Sequence, residues 1–263
     1  MSAEQATTIV FEECDLTAPE LLSVASGQVA VFSRRCPGRE TVNEDAAAII
    51  SLDLQCGVLV VADGVGGMQS GNHASSVAVN SMKDRMHELS QPELMRTAIL
   101  DGIEDANRRI CALGANAATT LAVMEVQGNR VRPYHVGDSM ILLCGQRGKL
   151  RWQTISHSPV GYAIEAGVMD EADAMSHPDR HYISNYVGCA EMRIEIGPQL
   201  EMAARDTLLL CSDGLSDNLS TDEIIAIIRK AQRDGVDVES DLRCRLRDIE
   251  SEIEHIERTM NHE

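Results

Sequence analysis

The feature that most constrains the fold is an aspartate placed directly behind an apolar run. The stretch VLVVADG places Asp63 there, and the stretch TLLLCSDG places Asp213. Apolar runs of this length, bounded by turn residues, predict buried β-strands. Because glycine permits tight backbone bends, each carboxylate is expected at the end of a strand in a sharp turn. One Asp-Gly pair is an ordinary turn, but the repeated pattern indicates a site.

Two more aspartates are predicted at strand ends. Asp45 closes VNED before the apolar run 46–50, and Asp138 follows YHVG. Like-charged carboxylates that meet in a fold require protons or cations to compensate them. Oxygen ligands of this type favour Mg²⁺ or Mn²⁺, and a pair of such ions can support a displacement at phosphorus. The pattern therefore predicts a metal centre that handles a phosphate.

The remaining apolar pattern predicts a mixed fold of strands and helices. Strands are predicted at 28–32, 46–50, 57–62, 119–126, 140–144 and 207–211, and helices at 72–89 and 91–113. A further helix is expected to begin at STDEII, with Ser220 or Thr221 as its N-cap.

The C-terminal segment 241–260 has a different pattern, with apolar residues spaced by four and three in alternation. They are Leu242, Leu246, Ile249, Ile253, Ile256 and Met260. This heptad spacing predicts one amphipathic helix. The helix either packs on the body of the domain or contacts a partner protein.

Composition excludes several classes of partner. The chain has 23 basic and 41 acidic residues, a net charge of −18, which argues against binding to nucleic acid. It lacks an apolar stretch long enough to span a membrane, and its acidic N-terminus differs from a secretion signal. The eight cysteines are scattered without a C-x-x-C pair, so we expect a cytoplasmic protein in a reducing compartment.

Six motifs occur in an order that resembles one known family. They are VNEDA (42–46), VVADGVGGMQSGNHAS (60–75), ATTLAVMEV (118–126), HVGDS (135–139), the segment 157–188 and LLLCSDGLSDNLSTDEI (208–224). In these residues the chain is similar to the metal-dependent serine/threonine protein phosphatases of type 2C. The resemblance runs from about residue 28 to residue 231.

The resemblance implies an α+β fold, in which a β-sandwich of two antiparallel sheets is flanked by α-helices in four αββα layers. It divides the chain into an N-terminal segment (1–27), a catalytic domain (28–231) and a C-terminal linker and helix (232–263). Within the catalytic domain, 157–188 is similar to the flap that borders the substrate cleft. His157, at its start, is predicted to fix a loop.

The resemblance also implies a set of metal ligands for two Mg²⁺ or Mn²⁺ ions and a weaker third ion. They are Asp63 between both ions, the carbonyl of Gly64, Asp213, Glu44 and Asp45 through water, and Asp138 at the third ion. Asp63 and Asp213 are thereby the implied catalytic residues. The arginine that holds the substrate phosphate is assigned to Arg39, although strict family spacing falls on Glu40 and Arg34 and Arg35 are nearby.

The implied function is removal of phosphate from phosphoserine and phosphothreonine in proteins, opposing a serine/threonine kinase. A hydroxide bridging the two ions would attack phosphorus directly. The family's final Asp-Asn-x-Thr motif, whose aspartate binds metal, does not occur in this sequence. The alternative function is therefore a binding or regulatory protein with weak or no turnover.

Overall fold

The structure, a computed structural model, describes residues 7–25, 27–36, 41–65, 70–114 and 117–234. The strands are β1 (Thr7–Glu12), β2 (Glu20–Val24), β3 (Gly27–Val31), β4 (Asp45–Ser51), β5 (Cys56–Asp63), β6 (Leu121–Gln127), β7 (Arg130–Val136), β8 (Met140–Gly145), β9 (Lys149–Gln153), β10 (Glu195–Ile196), β11 (Leu200–Glu201) and β12 (Thr207–Cys211). The helices are α1 (Gly71–His87), α2 (Met95–Ala112), α3 (Pro159–Glu165), α4 (Glu171–Met175), α5 (Asp213–Ser216) and α6 (Thr221–Asp234).

The largest sheet has seven antiparallel strands in the order β1-β4-β5-β6-β7-β10, with β11 also paired to β7. Alternate residues of its central strand β5 serve its two faces, as the period of a strand requires. Val58, Val60 and Ala62 are buried against α1 and α2. Leu59 and Val61 point to the opposite face, where they join the contact with the second layer.

The second layer contains two smaller sheets on that opposite face. The sheet β12-β8-β9 packs there through Ile141, and the hairpin β2-β3 packs there through Val24. Helix α6 covers the outer side of β8, where Ile224 and Ile228 are buried against Leu142. The four αββα layers predicted for this chain are confirmed.

The helices begin and end close to the predicted positions. Ser220 is the N-cap of α6, because its backbone N–H donates to the carboxylate of Glu223 and its hydroxyl accepts from the Glu223 N–H at 3.4 Å. Helix α2 begins at Met95, later than predicted, because a 3₁₀ turn at Pro92–Leu94 precedes it. Among the described residues, the helices are too short or too polar to cross a membrane.

Two regions, 1–27 and 119–126, are arranged differently from the predicted organisation. A third, 241–260, lies outside the described residues. The segment 1–27 contributes β1, which pairs with β4, and β2, which pairs with β3. The strand expected at 119–126 starts only at Leu121. The heptad segment 241–260 lies outside the described residues, so its helix remains a prediction.

Candidate metal centre

The predicted carboxylates converge at one end of the sandwich. Asp45 opens β4 and Asp63 closes β5, and the two residues are direct partners in the antiparallel register. Asp213 opens α5 immediately after β12. The charges of both Asp45 and Asp213 act on the carboxyl group of Asp63. Asp138, between β7 and β8, is close enough for its charge to act on Asp63. Four segments of the chain thus supply one acid cluster, Asp45, Asp63, Asp138 and Asp213.

Three members of the acid cluster, Asp45, Asp63 and Asp138, have a raised pKa because folding removes them from much of their contact with water. Burial raises the pKa of Asp63 well above its usual range, and the charges of Asp45, Asp213 and Asp138 add to the effect. Burial likewise raises the pKa of Asp45 to about 6, although a hydrogen bond from Ser212 lowers it. Burial and Asp213 raise the pKa of Asp138 to about 7. The cluster therefore favours any positive charge that can replace those protons.

The hydrogen bonds around the acid cluster leave acceptor capacity for a cation. The Ser212 hydroxyl donates to Oδ2 of Asp45 at 3.0 Å and holds that carboxylate in place. Oδ1 of Asp138 is buried, and no hydrogen-bond partner for it exists among the described residues. A buried carboxylate oxygen without a donor is costly unless a cation approaches it. The donor set therefore fits a hard divalent ion such as Mg²⁺ or Mn²⁺.

Gly64 and Glu44 form the wall of the cluster next to α1. The Gly64 N–H donates to the backbone carbonyl of Glu44 at 3.1 Å, and the Ser75 hydroxyl donates to the same carbonyl at 2.6 Å. A Cβ on Gly64 would lie 2.4 Å from the backbone of Gly71. The turn after Asp63 therefore requires glycine because α1 begins in contact with it.

A groove of about 2680 Å³ opens from the acid cluster between β3 and β12. Arg34 and Arg35 line this groove, and the Nε atoms of both lie within 4.0 Å of Asp15, at 3.8 and 3.1 Å. Arg180 lines the groove as well. Arg39 lies outside the described residues, so its predicted contact with phosphate has no structural description. The groove therefore connects the acid cluster with the surface of the protein.

Comparison with known proteins identifies the family. The family model described as Protein phosphatase 2C matches residues 34–248. That range covers well over half of the chain. The chain belongs to the protein phosphatase 2C family. The predicted enzyme class, a metal-dependent protein serine/threonine phosphatase acting on phosphoproteins, is confirmed, and the alternative of a binding protein without turnover is not favoured.

Relatives and solved structures agree with the family. The serine/threonine phosphatase stp of Listeria welshimeri is 30% identical over 197 residues, which cover 71% of this chain and 77% of that protein. The structure of the S. agalactiae serine/threonine phosphatase superposes with a TM-score of 0.67 at 24% identity, over 91% of this chain and 94% of that one. The catalytic domain of the serine threonine protein phosphatase PstP, solved in complex with two manganese ions, superposes with a TM-score of 0.65 at 22% identity, over 93% and 91% of the two chains.

The sequence did not single out the residues that support Asp63 in this 2C-family phosphatase. Thr120 N–H donates to the Asp63 carbonyl at 2.8 Å, and its hydroxyl accepts from the Asp63 N–H at 3.2 Å. The Thr119 hydroxyl donates to the same carbonyl at 2.8 Å. The hydroxyls of Thr120 and Ser139 are 2.6 Å apart, so one threonine connects Asp63 to the residue after Asp138. The available signal was a pair of threonines directly before an apolar run.

A second missed residue of the 2C-family site is Asp217, four residues after Asp213 and directly after α5. Burial and the charge of Asp213 raise the pKa of Asp217, while Arg180 and His181 lower it. Nε of Arg180 lies 3.7 Å and Nδ1 of His181 lies 3.4 Å from Oδ2 of Asp217. Asp217 therefore connects the acid cluster to the flap-like segment 157–188. The spacing of four residues in SDGLSDN was the signal in the sequence.

Proposed function

We propose that the acid cluster is a two-ion Mg²⁺ or Mn²⁺ centre that removes phosphate from phosphoserine and phosphothreonine in proteins. The observation that carries this proposal is the convergence of Asp45, Asp63 and Asp213 from three distant segments. Such a half-buried set of like charges is unfavourable without cations. The manganese pair in the PstP structure supports the same ion type here.

The ligand roles follow the positions of the side chains. Asp63 would contact both ions, because it is the direct register partner of Asp45 and the charges of both Asp45 and Asp213 act on it. The Gly64 carbonyl and Asp213 would complete the direct contacts, and Asp138 would serve a weaker third ion. Glu44 and Asp45 would act through water. When bound, the ions would activate water as the nucleophile and offset the negative charge of the phosphate.

The protein's own residues would position the substrate. Arg34 and Arg35, which line the groove beside Asp15, would orient the phosphate, because guanidinium groups bind phosphate oxygens in a fixed geometry. Arg39 remains the sequence-based candidate for that role. The groove between β3 and β12 leads to the cluster and would guide an extended phosphopeptide. The opposing serine/threonine kinase and the cytoplasmic location remain predictions.

Replacement Asp63→Asn tests the proposal. The amide keeps the shape of the side chain but removes the charge that would attract both ions. Loss of a residue that hydrogen-bonds to a metal ligand typically lowers activity or metal affinity by about 10- to 100-fold. Loss of a ligand shared by two ions should therefore lower activity by more than about 100-fold. Hydrolysis of p-nitrophenyl phosphate and of a phosphothreonine peptide, each with Mn²⁺, with Mg²⁺ and with chelator, provides the measurement.

Asp101→Asn is the matched control, because Asp101 is exposed on α2 and the replacement makes the same change from carboxylate to amide. Thermal unfolding of both variants tests whether the fold is kept. Turnover by the Asp63→Asn variant at the wild-type rate would refute the assignment of Asp63.

A further inference from the structure

His157 is a buried residue that contacts the loop carrying Asp138 in two places. It is only 4% exposed. Its backbone N–H donates to the Gly137 carbonyl at 3.0 Å, and the Gly137 N–H donates to Nδ1 of its ring at 3.0 Å. Gly137 directly precedes Asp138 and has φ +108, a conformation that glycine adopts freely and other residues rarely adopt. His157 therefore binds both the carbonyl and the N–H of Gly137.

The hydrogen bonds determine which ring nitrogen of His157 carries the proton. A backbone N–H can only donate, so Nδ1 must accept from Gly137 and is unprotonated. Nδ2 of Asn185 donates to the same nitrogen at 2.9 Å. The orientation of that amide is fixed by the backbone of Arg193, which accepts from Nδ2 at 2.8 Å and donates to Oδ1 at 3.0 Å. Nε2 therefore carries the proton and donates to Oε2 of Glu195 at 3.1 Å.

This tautomer argues against a separate metal site at the same place. His135, His157 and Glu195 offer ligand atoms within 4.8 Å of one another, and Nδ1 of His135 has no hydrogen-bond partner among the described residues. A metal ion would require the lone pair of Nε2 on His157, where the proton resides. Only two of the three groups could then bind. The stacked rings of His135 and His157, with centroids 4.4 Å apart, fit a rigid support better.

The same histidine also holds the end of the flap-like segment 157–188. The backbone N–H and the hydroxyl of Ser184 both donate to the His157 carbonyl, each at 2.8 Å. Asn185 contacts its ring, as described above. One residue thus fixes the Gly137–Asp138 loop and the flap-like segment relative to each other.

We propose that His157 is a positioning residue whose unprotonated Nδ1 holds Gly137, and through it the Asp138 carboxylate, in the geometry that binds metal. The proposal rests on the proposed metal centre, because it assigns a function to Asp138 there. It adds a residue that does not contact the ions itself. Its physical basis is that a glycine loop needs an external restraint to keep the following carboxylate in one place.

Two replacements of the same ring separate its two hydrogen-bonding edges. In H157N the side-chain oxygen can lie near the position of Nδ1 and accept from Gly137. In H157Q the longer side chain can reach the position of Nε2 and donate to Glu195, but the Gly137 N–H loses its acceptor. Both variants remove the ring, so the loss of packing is similar.

The readouts are calorimetric binding of Mn²⁺ to the full chain and the Mn²⁺ dependence of phosphopeptide hydrolysis. We expect H157Q to weaken binding of the third, weakest Mn²⁺ ion by about 10- to 100-fold, as loss of a ligand-orienting partner does. H157N should stay close to the wild type. Nitrogen NMR of the metal-free protein should show His157 protonated at Nε2. If H157Q does not fold, Asn185→Asp takes its place, because a carboxylate beside Nδ1 draws the proton there and should weaken binding likewise.

The control is E195Q, which keeps an oxygen to accept from Nε2 and should bind Mn²⁺ like the wild type. Equal affinities of H157N and H157Q, or a proton on Nδ1, would overturn the positioning role. Loss of a whole equivalent of bound ion in E195Q would overturn it too, in favour of a metal site at His135. A wild-type protein that binds no Mn²⁺ would instead overturn the proposed metal centre, while the NMR result would still stand by itself.

Discussion

At the scale of single residues, the ionised carboxyl groups of Asp138 and Asp45 destabilise the folded, metal-free protein. Asp138 has an ordinary pKa near 3.8 when unfolded, and burial beside Asp213 raises it to about 7 in the fold. The folded protein therefore binds a proton more tightly than the unfolded chain does between these two values. Stability contributed by this proton is present below the unfolded pKa and is lost as pH rises through the folded pKa. Asp45, whose pKa is raised to about 6, acts in the same direction.

We predict that Asp138→Asn stabilises the metal-free protein at pH 8 while it weakens the response to Mn²⁺. One pKa unit corresponds to about 1.4 kcal/mol, so the gain in the free energy of unfolding should be about 1–4 kcal/mol. The gain should shrink as the pH falls toward 5, because the wild-type carboxyl then holds its own proton. Denaturant unfolding with chelator across this pH range measures it.

The exposed Asp101→Asn serves as the control for removal of one negative charge from a chain of net charge −18. An Asp138→Asn variant with a pH dependence of stability parallel to that of the wild type would contradict the account of the buried carboxyl.

At the scale of secondary-structure elements, the two Asp-Gly pairs are alike in sequence and different in structure. A Cβ on Gly64 would lie 2.4 Å from Gly71 at the start of α1 and 2.8 Å from the Glu44 carbonyl. A Cβ on Gly214 would meet only the Ser212 hydroxyl, at 3.6 Å. The junction of β5 with α1 therefore requires glycine, whereas the start of α5 does not. Sequence alone could not distinguish them, because the close approach depends on how the start of α1 and the Glu44 carbonyl pack against Gly64.

We predict that Gly64→Ala destabilises the protein by about 1–3 kcal/mol, the usual cost of forcing extra volume into packed structure. It should also weaken Mn²⁺ binding, because the backbone at Glu44 and Gly71 has to move. Thermal and denaturant unfolding measure the first effect and calorimetry the second.

Gly214→Ala is the matched control for stability. This position is helical and open, so alanine should be neutral or stabilising by up to about 1 kcal/mol. Equal destabilisation by the two substitutions would show that the crowding at Gly64 is not the cause.

The elements predicted correctly are those with a continuous apolar run. The strands predicted at 57–62 and 207–211 correspond to β5 and β12. Runs of Val and Leu are stabilised most by a strand that packs against other apolar residues. Strand β9 (KLRWQ) was not predicted, since most of its side chains are polar and it lies at the edge of its sheet. The contributions of Thr119 and Thr120 also depend on tertiary contacts with Asp63, which a local pattern does not contain.

At the scale of the whole molecule, two packed sheets bring together residues that are far apart in the chain. Ser212 donates to Asp45 across 167 positions of sequence. The ends of predicted strands indicated which carboxylates could meet, because strands packed in one sandwich expose their ends at the same edge. The groove was not predictable in this way. Among the described residues, β3 pairs only with β2 and β12 only with β8, and the space between those strands forms the approach to the acid cluster.

We propose that these distant carboxylates enclose two hard cations. Crystals soaked in Mn²⁺ and examined by anomalous diffraction test it most directly. We expect two strong peaks in contact with Asp63, one of them shared with Asp213. An acid cluster without manganese density in such crystals, with its carboxylates turned away from one another, would contradict it.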